Sequence, residues 1–181
     1  MNISIEQRRF TFRSEYDISA PRFNYYAQKK YFSFRDRIQL LAEDRRVLAR
    51  IRSRFSLFRM KYDFELSDGK VYRFWCEKLW KCVFVCENNE ERFRLYEHRG
   101  LNYSIFQNDF QIAAFTKNRV KIGQGDRYDI RMNEDGNVII VICLALTVDA
   151  AENENDRATV TFDFGNIGPE DRPFDESWEP S

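Results

Sequence analysis

Three kinds of side chain in this 181-residue chain could do chemistry: a single histidine, four cysteines and a dense set of arginines. His98 sits in Tyr96-Glu-His-Arg-Gly100, where a turn is expected, and no neighbouring nucleophile or orienting acid completes a general-base set. It therefore reads as an exposed turn residue. Cys76, Cys82 and Cys86 with His98 offer thiolate and imidazole, the ligands zinc prefers. The spacing argues against a site, because no Cys-x2-Cys or Cys-x4-Cys pair exists, and on a strand Cys82 and Cys86 share a face with Phe84, which suits packing. Gly-x-Ser-x-Gly and phosphate-cradling glycine loops are absent, Gly123-Gln-Gly125 reads as a turn, and carboxylates pair only at turns and in the tail. The expectation is a non-enzymatic protein with no catalytic residue, no metal and no cofactor.

The arginines differ in kind. If Asp44-Arg45 is a tight turn, Ile38, Leu40 and Ala42 pair with Ile51, Ala49 and Val47 on an apolar face. Gln39 then meets Arg50 on the other face, with Arg37 against Arg52 and Arg35 against Arg54. Arg35, Arg37, Arg50, Arg52 and Arg54, with Arg59 and Lys61 on the following strand, would crowd one outer patch. Like charges directly opposed destabilise a sheet. An anion placed there would relieve them: lipid headgroup phosphates, the protein's own acidic tail or a nucleic acid backbone, with paired arginine donors suiting phosphate best. A solvated basic face whose side chains splay apart is the alternative.

The elements that must hold these residues are mostly strands. Seventeen Phe and nine Tyr against seven Gly and four Pro describe an aromatic-rich chain without a flexible linker. Phe34-Arg-Asp-Arg-Ile-Gln-Leu-Leu-Ala-Glu-Asp44 aligns without gaps on Phe58-Arg-Met-Lys-Tyr-Asp-Phe-Glu-Leu-Ser-Asp68, and Tyr62-Asp-Phe-Glu-Leu-Ser-Asp-Gly69 returns with one insertion as Tyr128-Asp-Ile-Arg-Met-Asn-Glu-Asp-Gly136. Each unit is an alternating strand running into an acidic or glycine turn, the pattern of a meander of hairpins. A three-residue loop at Ser67-Asp68-Gly69 pairs Phe64 with Tyr72 and Tyr62 with Phe74 inside, and sets Asp63 against Arg73 outside. Further strands are expected at 10–12, 16–18, 24–28, 80–86, 93–96, 103–106, 110–115, 127–132 and 158–164. The run Val138-Ile-Ile-Val-Ile-Cys-Leu-Ala-Leu146 is too short to cross a bilayer, which takes about 20 apolar residues, and too apolar for any solvent-facing element. From the Gly136-Asn137 turn to about Glu152 the segment exceeds strand length, Asn137 is an acceptable N-cap, and a buried helix over 138–150 is expected. One such helix after so much alternating sheet is what a β-barrel plugged by its own helix looks like.

Length fits one domain. The N-terminus shows no signal-peptide pattern, and four cysteines fall short of a disulfide framework, so a reducing, cytoplasmic address is expected, with peripheral membrane association. The zero net charge is a cancellation. From Asp149 onward ten carboxylates face two arginines, net −8, which leaves +8 on the residues before it.

The order of Tyr31-Phe-Ser-Phe34, Arg54-Phe-Ser-Leu-Phe58, the Tyr62–Gly69 hairpin and an apolar helix after Tyr128-Asp-Ile-Arg131 resembles the LURP-one-related family, grouped with tubby C-terminal-like and phospholipid-scramblase-like proteins. The resemblance covers roughly residues 8–152. It implies a closed antiparallel barrel of about 12 strands around a central C-terminal helix, and in the tubby branch phosphoinositide binding through basic residues on the barrel's outside. This chain continues past the helix, as an acidic extension over 153–181. The expected function is a binding module for an anionic partner, such as phosphoinositide or acidic phospholipid headgroups, in an adaptor or regulatory role. The alternative is a protein-interaction or assembly subunit docking through its tail or basic face. Nucleic acid binding and a transmembrane span are not expected.

Overall fold

Alternation of inward apolar and outward polar residues builds twelve antiparallel strands: β1 (Asn2–Arg9), β2 (Arg13–Ser19), β3 (Asn24–Lys30), β4 (Arg37–Ala42), β5 (Val47–Ser53), β6 (Lys61–Leu66), β7 (Val71–Lys78), β8 (Val83–Glu87), β9 (Arg92–His98), β10 (Asn102–Gln107), β11 (Phe110–Arg119) and β12 (Asp126–Met132). The helix α1 (Val138–Asn155) follows. The structure, a computed structural model, describes residues 1–10, 13–30, 37–54, 61–78, 82–119, 125–155 and 171–181. Each strand pairs with its sequence neighbours, and β1 pairs with β12 to close the barrel, which leaves no sheet edge exposed.

Closure at twelve strands dictates the plug. Eight strands enclose a space that side chains alone can fill, and each further pair widens it. Here α1 fills it: Ile140, Val141, Ile142, Cys143, Leu144, Ala145 and Leu146 are all buried, in one cluster with inward residues such as Ile5, Tyr16, Ile51, Phe64, Phe74, Phe93, Phe115 and Ile130. Packing on every side explains why the helix needs no polar face. Its eighteen residues span about 27 Å, and among the described residues no helix is long and apolar enough to cross a membrane. Asn137 caps it, accepting from the Ile140 N–H at 3.2 Å.

The expected registers hold in part. Ile38 faces Ile51, Leu40 faces Ala49, Phe64 faces Tyr72 and Tyr62 faces Phe74. Ala42 does not face Val47. Ala42 closes a wider turn, with Arg45 in the left-handed region (φ 65°), so a bulge after Leu40 brings Leu41 opposite Val47. Three further corrections are needed. The first strand is β1, and Phe10 lies beyond it, at the turn that donates to the Arg13 carbonyl. Cys82 has φ 47° and precedes β8, which starts at Val83. The helix runs to Asn155, beyond its expected end. The expected strand at 158–164 lies outside the described residues, as do residues 11–12 and 80–81 of two others.

Candidate anion-binding site

Arg50, Arg52 and Arg54 alternate with buried Ala49 and Ile51 and so point outward from β5 and its end. Arg37 is opposite Arg52 in the register, as expected, and Lys61 opens β6 on the same outer surface. Arg35 and Arg59 lie outside the described residues. What the arginine pattern alone omits is the carboxylate column on β6. Glu65 stands opposite Arg50, yet its ion pair is with Arg52 at 3.2 Å, while Asp63 stands opposite Arg52 and Arg73 but pairs with Arg54 at 3.5 Å. The expected Asp63–Arg73 partnership is thus a register neighbour and not the ion pair. Part of the like-charge stress is offset within the sheet.

Part of the remainder gathers one strand further on. A surface pocket of about 300 Å³ is lined by Arg54, Lys61 and Arg73 against the single carboxylate of Asp63, with the half-buried Trp75 beside them. Among the described residues Lys61, Arg73 and Arg50 make no ion pair; Lys61 and Arg73 share this pocket, where three cations meet one carboxylate. A guanidinium offers two parallel donors to a phosphate, and an indole face supports an adjoining cation or an apolar linker. The arginine pattern does not single out Arg73 and Trp75, because pairing across the Ser67–Gly69 loop sets Arg73 against Asp63; the outward alternation of β7 is the signal that carries both.

A second constellation lies inside, where β2, β1, β12 and β11 meet α1. Asp149, fully buried, accepts from Tyr128 Oη at 2.5 Å, from Tyr16 Oη at 2.7 Å and from Gln7 Nε2 at 3.1 Å, with Lys117 Nζ at 3.5 Å. Lys117 also pairs with Asp126 at 3.1 Å, and Asp126 with Arg9 at 2.8 Å. Gln7 Oε1 accepts from Arg9 Nε and from the Asp126 backbone N–H. Gly125 (φ +80°) packs so closely that a Cβ there would lie 2.0 Å from the Gln7 carbonyl oxygen, so Gly125 is a close-approach residue and more than a turn. Every member is engaged and the site is closed. It bolts the first strand, the last strand and the helix together across the seam of the barrel, which is structural work.

His98 is corrected. It is buried, ends β9, and its Nε2 lies 2.7 Å from Ser104 Oγ. The turn comes after it, at Gly100 and Leu101, both with positive φ. All four cysteines are free and buried; burial pushes the Cys82 and Cys143 thiols up to about 12 and Cys86 well above its ordinary range. Among the described residues no group of three His, Cys, Asp or Glu is placed to hold a metal.

These features define a closed, helix-plugged antiparallel barrel with a basic pocket on its outer wall. No family model matches the chain, and no curated protein or solved structure matches it.

Proposed function

We propose that the barrel is a non-enzymatic binding module that recognises a phosphate-bearing partner, a phosphoinositide or acidic phospholipid headgroup, at the pocket of Arg54, Lys61, Arg73 and Trp75. The observation that carries this reading is the concentration of three cations, two of them without an ion pair, against one carboxylate around one concave, aromatic-walled site. The helix-plugged barrel and its order of elements are compatible with a LURP-one-related, tubby-like module, and the adaptor role is proposed on that resemblance. A second reading, a protein-interaction subunit, draws on a different surface, the outer face of β8–β11.

Cosedimentation of the full chain with vesicles of phosphatidylcholine alone, and with added phosphatidylserine or phosphoinositide, at two salt concentrations tests the reading. Lys61→Glu with Arg73→Glu should weaken binding by about 30-fold or more, since a basic residue near an anionic bilayer contributes about 1 kcal/mol. Reversing Arg52 alone should cost less, because Glu65 already neutralises it. Unchanged vesicle affinity in the Lys61/Arg73 variant would sink the lipid reading.

A further inference from the structure

The outer face of β8–β11 is apolar, and it is covered. Phe84 and Cys86 of β8 belong to the central cluster, whereas Val83 and Val85 point the other way and are equally buried. Phe106 and Ala114 are likewise buried outside that cluster, with Tyr96, His98 and Ser104 beside them. Solvent-facing strands do not bury both faces unless something lies on them.

The end of the chain lies over the β9–β10 part of this face. Asp171 pairs with Lys78, and that hydrogen bond raises the lysine's pKa. The Arg172 guanidinium stacks 4.1 Å from the centroid of Phe106 and 5.7 Å from that of Tyr96, and donates to the Asp109 carbonyl at 3.4 Å. The Phe174 ring meets His98 with centroids 5.1 Å apart. Ser181 is tied to the loop after β12: its N–H donates to Asn133 Oδ1 and its carbonyl accepts from the Glu134 N–H. Arg172 and Phe174 are half-buried between exposed Asp171, Pro173 and Asp175, the alternation of an extended segment laid on a surface. Its described contacts to the strands come from side chains, so it is held as a ligand is held and not as a thirteenth strand.

We infer that the outer face of β9 and β10, flanked by Lys78, is a docking groove for an extended peptide with an acid, an arginine and, two residues on, an aromatic, and that this chain's own Asp171–Phe174 occupies it in cis. A partner segment of the same chemistry competes with the tail for Lys78, the Tyr96–Phe106 pair and His98. Tethering gives the tail a high effective concentration, so the groove opens to a partner only when the tail is displaced or the partner binds tightly. The inference deepens the protein-interaction reading and is independent of the phosphate pocket on β5–β7.

The test is a fluorescence-anisotropy titration of a labelled synthetic peptide with the sequence of residues 170–181. The proteins are the full chain and the full-length variant Arg172→Ala with Phe174→Ala, whose weakened tail vacates the groove. The variant should bind the peptide saturably, the unaltered chain at least tenfold more weakly, and a peptide carrying the same two substitutions should bind the variant at least tenfold more weakly than the parent peptide. A folded variant that fails to bind, or equal binding across proteins or peptides, would overturn the groove. So would failure of the variant to fold, because a displaceable segment cannot be essential to the barrel. Vesicle binding measured in parallel separates the two readings, since loss of peptide binding with lipid binding intact removes only this one.

Discussion

Replacing Asp149 by Asn separates two views of the same residue. Read as the first member of the acidic tail it is a solvated charge, and its loss would change stability by no more than about 0.5 kcal/mol. The structure buries it on α1 at the centre of four contributing side chains, Tyr128, Tyr16, Gln7 and Lys117. The two tyrosine hydroxyls, at 2.5 and 2.7 Å, are in the range of charge-assisted bonds, worth about 1.5–3 kcal/mol each against about 1 for neutral pairs, so neutralising the acceptor costs about 1 kcal/mol per tyrosine. The new amide also turns a donor toward Gln7 Nε2 or Lys117 Nζ, adding about 1 kcal/mol. Lys117 keeps Asp126 at 3.1 Å and is not orphaned, which holds the total near 3 kcal/mol, the low end for breaking a buried charge network. For a domain of this size that is a fall in Tm of about 6–12 °C. Urea unfolding followed by far-UV circular dichroism should show the midpoint shifted with the slope unchanged. A double-mutant cycle with Tyr128→Phe should return coupling of about 1 kcal/mol or more, and one with Lys117→Met less. A loss below about 0.5 kcal/mol with no coupling to Tyr128 would refute the bolt.

A charge at the centre of the plug should be worse: Ile142→Asp has no partner in an apolar interior and is expected to prevent folding, so a soluble, cooperatively unfolding variant of unchanged stability would contradict the buried helix. Gly125→Ala must push its Cβ against the Gln7 backbone in a left-handed conformation, and thermal melts should show a loss of about 2–4 kcal/mol. The buried thiols should be silent to a thiol reagent at pH 8 in the native state and all four titratable after denaturation. Because burial raises the Cys143 pKa to about 12, its contribution to stability is complete below about pH 9 and is lost as pH rises toward 12, so the urea midpoint should fall across that window and not below it.

The interior strands were legible because each inward position asks only for an apolar side chain. Ile38, Leu40, Ile51, Phe64, Tyr72 and Phe74 follow a period of two, and the register follows from the turns between them. β1 escaped because its third inward residue is Gln7, whose amide is turned inward by a hydrogen bond to Asp149, 142 positions away. His98 escaped for a related reason: its burial comes from Ser104 across a hairpin and Phe174 from the far end of the chain. The basic patch was visible as composition, but its net charge was not, since Asp63 and Glu65 alternate onto the same face from the next strand and choose Arg54 and Arg52 as partners.

Local periodicity, turn chemistry and one uninterrupted apolar run were therefore enough to point to antiparallel sheet wrapped around one buried helix near the C-terminal end, because each rests on interactions within a few residues or a simple inside–outside rule. Only the tertiary structure decided which polar groups go inside, which arginines keep their charge, and where the C-terminus lies. Those outcomes depend on pairings between segments distant in sequence, where the cost of burying a charge or an apolar face is set by what happens to lie opposite it.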